Sequence, residues 1–438
     1  MTDPKPILFV NASQVVTCAG PARARRGKEM REAGILKNAG VAVSNGRIAM
    51  IGAASDLRNA YSDAEVVDCR GGVLTPGLVD SHTHAVFGKP RYEEHEMRAE
   101  GLDYMTIATR GGGIHASVRD FRERSDDELY NLAAQRVSEL ASYGTTTLEI
   151  KSGYGLSVDD ELKALRVIGR LAERQSMRII ATWMGAHEIP PDYRTSDERR
   201  AAYIDLLIKD LLPRVVEQGI ARFADVFAEP GVFTIDEARR ILESSRKAGL
   251  GLKLHADELK PSGGAELAAS LKATSADHLA AISEKGISAL AASDTVATLL
   301  PGTMLFLGKA KQAPARALID AGAAVALATD FNPGTSPTVN FPLMLTLGVS
   351  QLRMSLAEAL TAATVNGAAA LSLAGETGQI APGFVADLAL FAIGDVRELP
   401  YWYGARLCVG SWKAGAPCHP YENVGKLNPR SPEVVPTG

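Results

Sequence analysis

The 438-residue sequence has only four cysteines, Cys18, Cys69, Cys408 and Cys418, and no C-x-x-C pair. That scarcity excludes a disulfide framework and a zinc knuckle, and it predicts reduced thiols in a cytoplasmic protein. No apolar run reaches the ~18 residues that span a bilayer, which excludes a membrane helix. The opening Met1-Thr2-Asp3-Pro4-Lys5-Pro6 has no basic segment leading into an apolar one, so no signal peptide is predicted. Neither sign of charge dominates. Lys and Arg number 47 against 51 Asp and Glu, a net −4 that argues against nucleic acid or an anionic membrane as partner. Internal repeats and low-complexity tracts are absent. With 46% hydrophobic and 22% charged residues, the composition is that of an ordinary soluble globular protein.

What is present falls into three zones. Residues 1–70 carry short apolar runs broken by turns: Ile7 to Val10, Val15-Val16, Val41 to Val43, Ile48 to Ile51 and Val66-Val67. Ser44-Asn45-Gly46-Arg47 between two of them is a hairpin signal, because Asn-Gly supplies the positive φ of a tight turn. Residues 71–372 alternate short apolar runs with longer helical stretches. The runs are Val73 to Val79, Thr145 to Ile150, Arg178 to Met184, Phe223 to Ala228, Leu250 to Leu254, Thr274 to His278, Thr295 to Leu300 and Ala323 to Ala328. The helical stretches include Asp126 to Ser142, Val158 to Gln175, Ile235 to Ala248 and Gly263 to Leu271. Eight such units predict an α/β fold, a (β/α)8 TIM barrel. A doubly wound open sheet is the alternative, but it usually carries a glycine fingerprint after its first strand. Here Asp80-Ser81-His82-Thr83-His84 stands instead. Residues 373–438 return to short strands, at Gly378 to Ile380, Asp387 to Ala392 and Arg406 to Val409. They are placed to pair with the N-terminal strands in a small β-sandwich built from both chain ends.

About sixty residues separate the first two runs. They contain Arg110-Gly111-Gly112-Gly113-Ile114, and the 85–125 stretch reads as a mobile cover loop. The three glycines neither follow a strand nor open a clear helix, so they are discounted as a phosphate cradle.

Seven of the eight runs end in, or soon meet, a residue that can do chemistry. These are His82 and His84, Glu149 with Tyr154, His187, Glu229, His255 with Asp257 and Glu258, His278, and Asp330. The exception ends in Pro301-Gly302-Thr303. In a parallel barrel all these ends share one rim, so distant residues converge. His82 and His84 lie at i and i+2 and share a face, which lets both reach one metal; the alternative is two histidines bonded to backbone. Taken alone, His255 reads first as a satisfied core histidine and only second as a ligand. Asp330 closes a very apolar strand, where a carboxylate is costly unless paired or metal-bound. Three His and one Asp make a site suited to Zn²⁺ or Fe²⁺, and such an ion lowers the pKa of water toward neutrality. Arg91 is either a solvated surface charge or a carboxylate clamp. Tyr154 is a packed aromatic or a ligand contact. His187 reads as a loop fixture, Glu258 as a helix-start carboxylate and His278 as a strand cap, unless the rim is an active site.

Three longer motifs decide between these readings. Pro76-Gly-Leu-Val-Asp-Ser-His-Thr-His84, Ala363-Thr-Val-Asn-Gly-Ala-Ala-Ala-Leu371 and Gly378-Gln-Ile-Ala-Pro-Gly-Phe-Val-Ala-Asp-Leu388 resemble the signatures of the amidohydrolase superfamily. The resemblance implies a barrel beside a terminal β-sandwich. It also implies hydrolysis of a cyclic amide in a small carboxylate-bearing substrate, one divalent ion, Zn or Fe, and a homodimer. Further stretches carry it along nearly the whole chain. They are His84-Ala-Val-Phe-Gly with Arg91, Leu148-Glu-Ile-Lys-Ser-Gly-Tyr-Gly, Gly185-Ala-His-Glu-Ile-Pro, His255-Ala-Asp-Glu, Ser275-Ala-Asp-His-Leu and Thr329-Asp-Phe-Asn-Pro-Gly-Thr-Ser. By this likeness the metal ligands are His82, His84, His255 and Asp330. Substrate contacts are Arg91, Tyr154, His187, Glu258, Asn332, Gly334 and Thr335, and catalytic roles fall on Glu258, His278 and Asp330. Glu258 and Asp330 are rival proton carriers. Two-metal members bridge their ions with a carbamylated lysine on the fourth strand. Phe223 to Glu229 has none, which favours a single ion. Other readings are another cyclic amidase or aminohydrolase of the superfamily, and a non-catalytic relative that would lack the ligands.

Overall fold

The computed structural model describes residues 5–102, 106 and 112–421. Eight parallel strands form its central sheet in strict chain order: Leu78–Asp80, Thr145–Lys151, Arg178–Ala186, Phe223–Ala228, Gly251–Ala256, Ser275–His278, Val296–Leu299 and Val325–Leu327. A parallel bridge between Thr83 and Phe331 closes the first strand onto the last. Helices cross between strands, as a parallel sheet requires. Those expected from the apolar periodicity form at Asp126–Ala141, Val158–Arg174, Ile235–Lys247 and Gly264–Ser270. Ser125, Ser157 and Thr234 cap the first three by accepting an N–H from the first turn.

Both chain ends build the second unit. One sheet holds Ile7–Val10, Gly40–Ser44, Arg47–Gly52 and Glu65–Asp68. The other runs Ala416–His419, Cys408–Lys413, Leu388–Phe391, Val73–Pro76, Gln14–Val16 and Ile35–Lys37. Phe9, Val15, Val41, Leu74, Leu388 and Trp412 share the core between them. Asn45 and Gly46 take φ of 51° and 72°, the hairpin turn that their identities call for.

Three expectations need correction. The single run Val73 to Val79 is two strands: Val73–Pro76 belongs to the terminal sheet and only Leu78–Asp80 to the barrel. The chain changes sheet at Gly77, where a Cβ would lie 2.0 Å from Thr146 Oγ1. Gly378 to Ile380 is not a strand, although Ile380 N–H still bonds to Thr17 O. The 85–125 stretch is not a plain loop either. It contains helices Tyr92–Ala99 and Ile114–Glu123, and Gly113 caps the second, so the glycine stretch does open a helix. Val118 and Phe121, three apart, bury one face of that helix. Arg110 and Gly111 lie outside the described residues.

Candidate active site and metal centre

The C-terminal strand ends deliver the polar residues to one buried rim. His82 and His84 follow the first strand, and their Nε2 atoms lie 3.6 and 3.7 Å from Asp330 Oδ1, beyond the eighth. These three groups offer ligand atoms within 4.8 Å of one another, as do His82, His255 and His278. The His82 and His255 ring centroids are 4.4 Å apart. His187 stacks on His84 at 4.9 Å with the rings 16° from parallel, and Tyr154 lies 5.6 Å from His187. Glu258 Oε2 is 3.6 Å from His278 Nδ1. Asp257, His278 and Asp330 sit at φ of 49°, 78° and 53°, the left-handed region, which costs most residues energy and gathers at functional sites.

Backbone ties hold these residues. Asp330 N–H bonds to His82 O at 3.0 Å, and His84 N–H to Phe331 O at 2.9 Å. Buried Asp80 accepts from the Thr329 N–H and hydroxyl, locking the first strand to the eighth. Asp257 accepts four successive N–H groups from Ser262 to Ala265, and Glu229 accepts those of Leu259 and Lys260, so the segment carrying Glu258 is pinned on both sides.

Beneath the rim lies a layer of which strand-end counting finds only Glu149. Asp277 Oδ2 is 2.6 Å from His82 Nδ1, and Asp225 is 3.1 Å from His255 Nδ1. The Lys151 ammonium is 2.7 Å from Asp225, 2.8 Å from Glu149 and 3.7 Å from Asp277. Lys253 is 3.1 Å from Glu149 and 3.8 Å from Asp277. All five side chains are fully buried. Two ammoniums among three carboxylates compensate most of a charge that burial alone would not tolerate. Burial opposes the Lys151 charge, yet Asp225, Glu149 and Asp277 hold its pKa above the ordinary value. A usable signal existed in the sequence: Glu149 and Lys151, like Lys253 and His255, stand two apart in apolar strands and therefore share the barrel interior.

Electrostatics prepare the rim for a cation. Burial first, and neighbouring charges next, drive the pKa values of His82, His84 and His278 well below the ordinary range. His187 falls to about 3 for the same reasons. Neutral imidazoles are what a metal binds. His82 Nε2, His84 Nδ1 and His278 Nδ1 are buried with no hydrogen-bond partner among the described residues. An orphaned nitrogen in a dry site is costly, and for His82 Nε2, which faces Asp330, a divalent ion relieves that cost. With Nδ1 given to a carboxylate, His82 and His255 each keep Nε2 as the ligand atom. The donor set therefore fits a metal ion.

Around the cluster, Arg91 is mostly buried, with Nε 3.7 Å from Glu94 Oε1 and without a hydrogen-bond partner among the described residues. It packs onto Gly334, where an added Cβ would lie 1.3 Å from the guanidinium. Asn332 Nδ2 donates to Asp330 O and Thr335 Oγ1, while its Oδ1 accepts the Gly334 and Thr335 N–H groups. In this structure Asn332 and Thr335 thus bond each other and shape the turn that presents Gly334. Burial pushes Glu258 up to about 8, with Asp330 and Glu229 adding to the shift, and Asp330 up to about 6. Burial likewise raises the Tyr154 phenol, which stays protonated.

A model described as the amidohydrolase family matches residues 73–417. The imidazolonepropionase of Bacillus velezensis is 44% identical over 399 residues, covering 91% of this chain and 93% of the relative. That of Clostridium tetani is 46% identical over 403 residues, covering 92% and 95%. A crystal structure of an adenosine deaminase from Xanthomonas campestris with bound zinc superposes with a TM-score of 0.71 at 19% identity, covering 98% of this chain and 96% of that one. That of Aspergillus niger ochratoxinase gives 0.70 at 17% identity, covering 98% and 100%. At such identities these two structures speak to the fold.

Proposed function

The chain belongs to the amidohydrolase family and to its imidazolonepropionase branch, and from that premise we propose how its residues carry out the reaction. The activity is hydrolysis of the ring amide of 4-imidazolone-5-propanoate to N-formimidoyl-L-glutamate, the third step of histidine degradation. Within the hydrolases this places it among enzymes that cleave carbon–nitrogen bonds in cyclic amides. The observation that carries the reading is Arg91. A mostly buried guanidinium whose Nε makes no hydrogen bond and has only the Glu94 carboxylate at 3.7 Å, beside a His/Asp cluster, suits the propanoate carboxylate.

His82, His84, His255 and Asp330 would hold one divalent ion, Zn or Fe. When bound, that ion supplies Lewis acidity and a lowered pKa for water. Arg91 anchors the propanoate and so sets which ring edge meets the rim. Tyr154, kept protonated, and the neutral His187 line the ring pocket, and the turn of Asn332, Gly334 and Thr335 closes it. Orientation of this kind contributes several kcal/mol to catalysis. His278, neutral at working pH, donates to the carbonyl oxygen as negative charge develops there. Asp330 has Oδ2 occupied by the Thr303 hydroxyl and Oδ1 turned toward His82 and His84. Glu258 Oε2 stands 3.6 Å from His278 Nδ1, beside the group that meets the carbonyl oxygen, so Glu258 takes the proton from water and returns it to the leaving ring nitrogen. A homodimer in the cytoplasm completes the proposal by family likeness; sedimentation velocity tests the assembly.

The decisive experiment follows the ultraviolet band of the imidazolone ring on adding enzyme, then after chelation and after metal return. Loss of the band, arrest by the chelator and recovery are expected. A band that decays at the same rate in chelator would overturn the metal site.

A further inference from the structure

The seventh barrel strand, Val296–Leu299, is the one whose end offers no acid, base or imidazole. The chain leaves it directly into a short helix, Pro301–Phe306, and Thr303 in the first turn is fully buried. Its hydroxyl donates to Asp330 Oδ2 at 2.6 Å. The other carboxylate oxygen faces His82 and His84. The two oxygens of one aspartate are thus committed to different partners, 27 residues apart on one side and some 250 on the other.

We propose that Thr303 is a positioning residue for the cation site: by occupying Asp330 Oδ2 it makes the carboxylate present Oδ1 alone to the histidine cluster. The inference rests on reading Asp330 as a ligand.

The need for such a group is conformational. Backbone bonds fix the Asp330 Cα, but the carboxylate torsion is broad and roughly two-fold, so the carboxylate plane stays free to turn. A carboxylate left free can engage a divalent ion through one oxygen or both. Thr303 has a single hydroxyl proton and gives it to Oδ2, which fixes the plane. Thr303 is itself held firmly. Pro301 starts its helix, Thr303 N–H bonds to Leu300 O at 3.2 Å, and Gly302 packs so closely that a Cβ would meet Ser336 Oγ at 3.0 Å. Ser336 Oγ in turn donates to Thr329 O, next to Asp330. The seventh and eighth strand ends therefore form one rigid unit around that carboxylate.

Thr303→Val keeps the side-chain shape and removes the proton, whereas Thr303→Ser keeps the proton. Purified whole-chain variants, stripped of metal, are titrated with Zn²⁺ against a chromophoric chelator. Thr303→Val is expected to bind Zn²⁺ about 10–100-fold more weakly, the usual loss when a group behind a ligand is removed. Its kcat falls and its KM stays, because Thr303 does not face the substrate. Thr303→Ser stays near the parent in both, and the metal-free proteins melt together. Parent Zn²⁺ affinity in Thr303→Val would overturn the proposal, as would equal losses in the Ser and Val variants. Should Thr303→Val not fold, Thr303→Ala against Thr303→Ser makes the same comparison. Asp330→Asn with parent affinity would instead remove Asp330 from the ligand set.

Discussion

His82 Nδ1 and Asp277 Oδ2 lie 2.6 Å apart with no exposed surface on either side chain. The contact links the first barrel strand to the sixth and determines which imidazole nitrogen is left for an ion. Asp277→Asn preserves shape but removes one of the three carboxylates that balance Lys151 and Lys253. A loss of about 10–100-fold in metal affinity is expected, with the barrel still folded by circular dichroism. Metal content after dialysis against a graded chelator reads it. Full retention at parental chelator strength would show that the contact does not direct the ligand.

Arg91→Ala should raise KM for the carboxylate-bearing substrate about 10–100-fold, the equivalent of one charge-assisted contact, and leave kcat largely intact. Gly334→Ala should do the same without touching a charge, because its methyl claims space 1.3 Å from the Arg91 guanidinium. Steady-state kinetics on the two variants and their double mutant test the link. If the guanidinium is the shared target, the double mutant is no worse than Arg91→Ala. Additive losses would separate the two residues.

Much of this was legible in the sequence because barrel strands are short, apolar and end in turn chemistry, and because their C-terminal ends must share a rim. That rule gathered His82, His84, His255, His278 and Asp330 as candidates, and the amidohydrolase motifs chose between their site and structural readings. The boundary at Gly77 was not, since both halves of Val73–Asp80 are buried and an apolar run does not say which sheet it joins. Helix Tyr92–Ala99 was missed because it buries only Glu94 and so lacks an apolar period. Thr303 carried no signal at all: a threonine acquires a role only from the neighbour its hydroxyl meets, and that neighbour is 27 residues away. Asp225 and Asp277 stood inside strands, where a carboxylate reads as an interruption until lysines from other strands are seen beside it.

Glu258 should give the pH profile its acidic limb. Burial raises its carboxyl to about 8 without metal, so at pH 7 most of it is protonated and unable to accept a proton. Activity should therefore rise with pH as Glu258 ionises. A cation bound nearby favours the carboxylate and moves the midpoint below 8 in the loaded enzyme. Glu258→Gln should lower kcat by a factor of about 10²–10⁴ and flatten that limb. A variant that keeps the parental limb would assign it to another group.

Glu358 predicts how the fold fails in acid. Its buried carboxylate joins the N-terminal segment to the barrel, accepting from Arg31 Nε at 3.1 Å, Arg316 Nη1 at 2.9 Å and Ser355 N–H at 2.7 Å. Burial works against the charge, but Arg316, Ser355 and Arg31 together bring the pKa from 4.5 down to about 2. A depressed carboxylate stabilises the folded state fully above its ordinary pKa and loses that contribution as pH falls from about 4.5 through 2. The shift corresponds to at most about 3 kcal/mol, and less once solvent around the exposed Arg31 is counted. Glu358→Gln should lower Tm at pH 7 and show a shallower fall in Tm below pH 4.5 than the parent. Thermal melts of both proteins across that range decide it: parallel curves would mean that the Arg31–Glu358–Arg316 clasp contributes nothing to acid sensitivity, leaving buried carboxylates elsewhere to account for it.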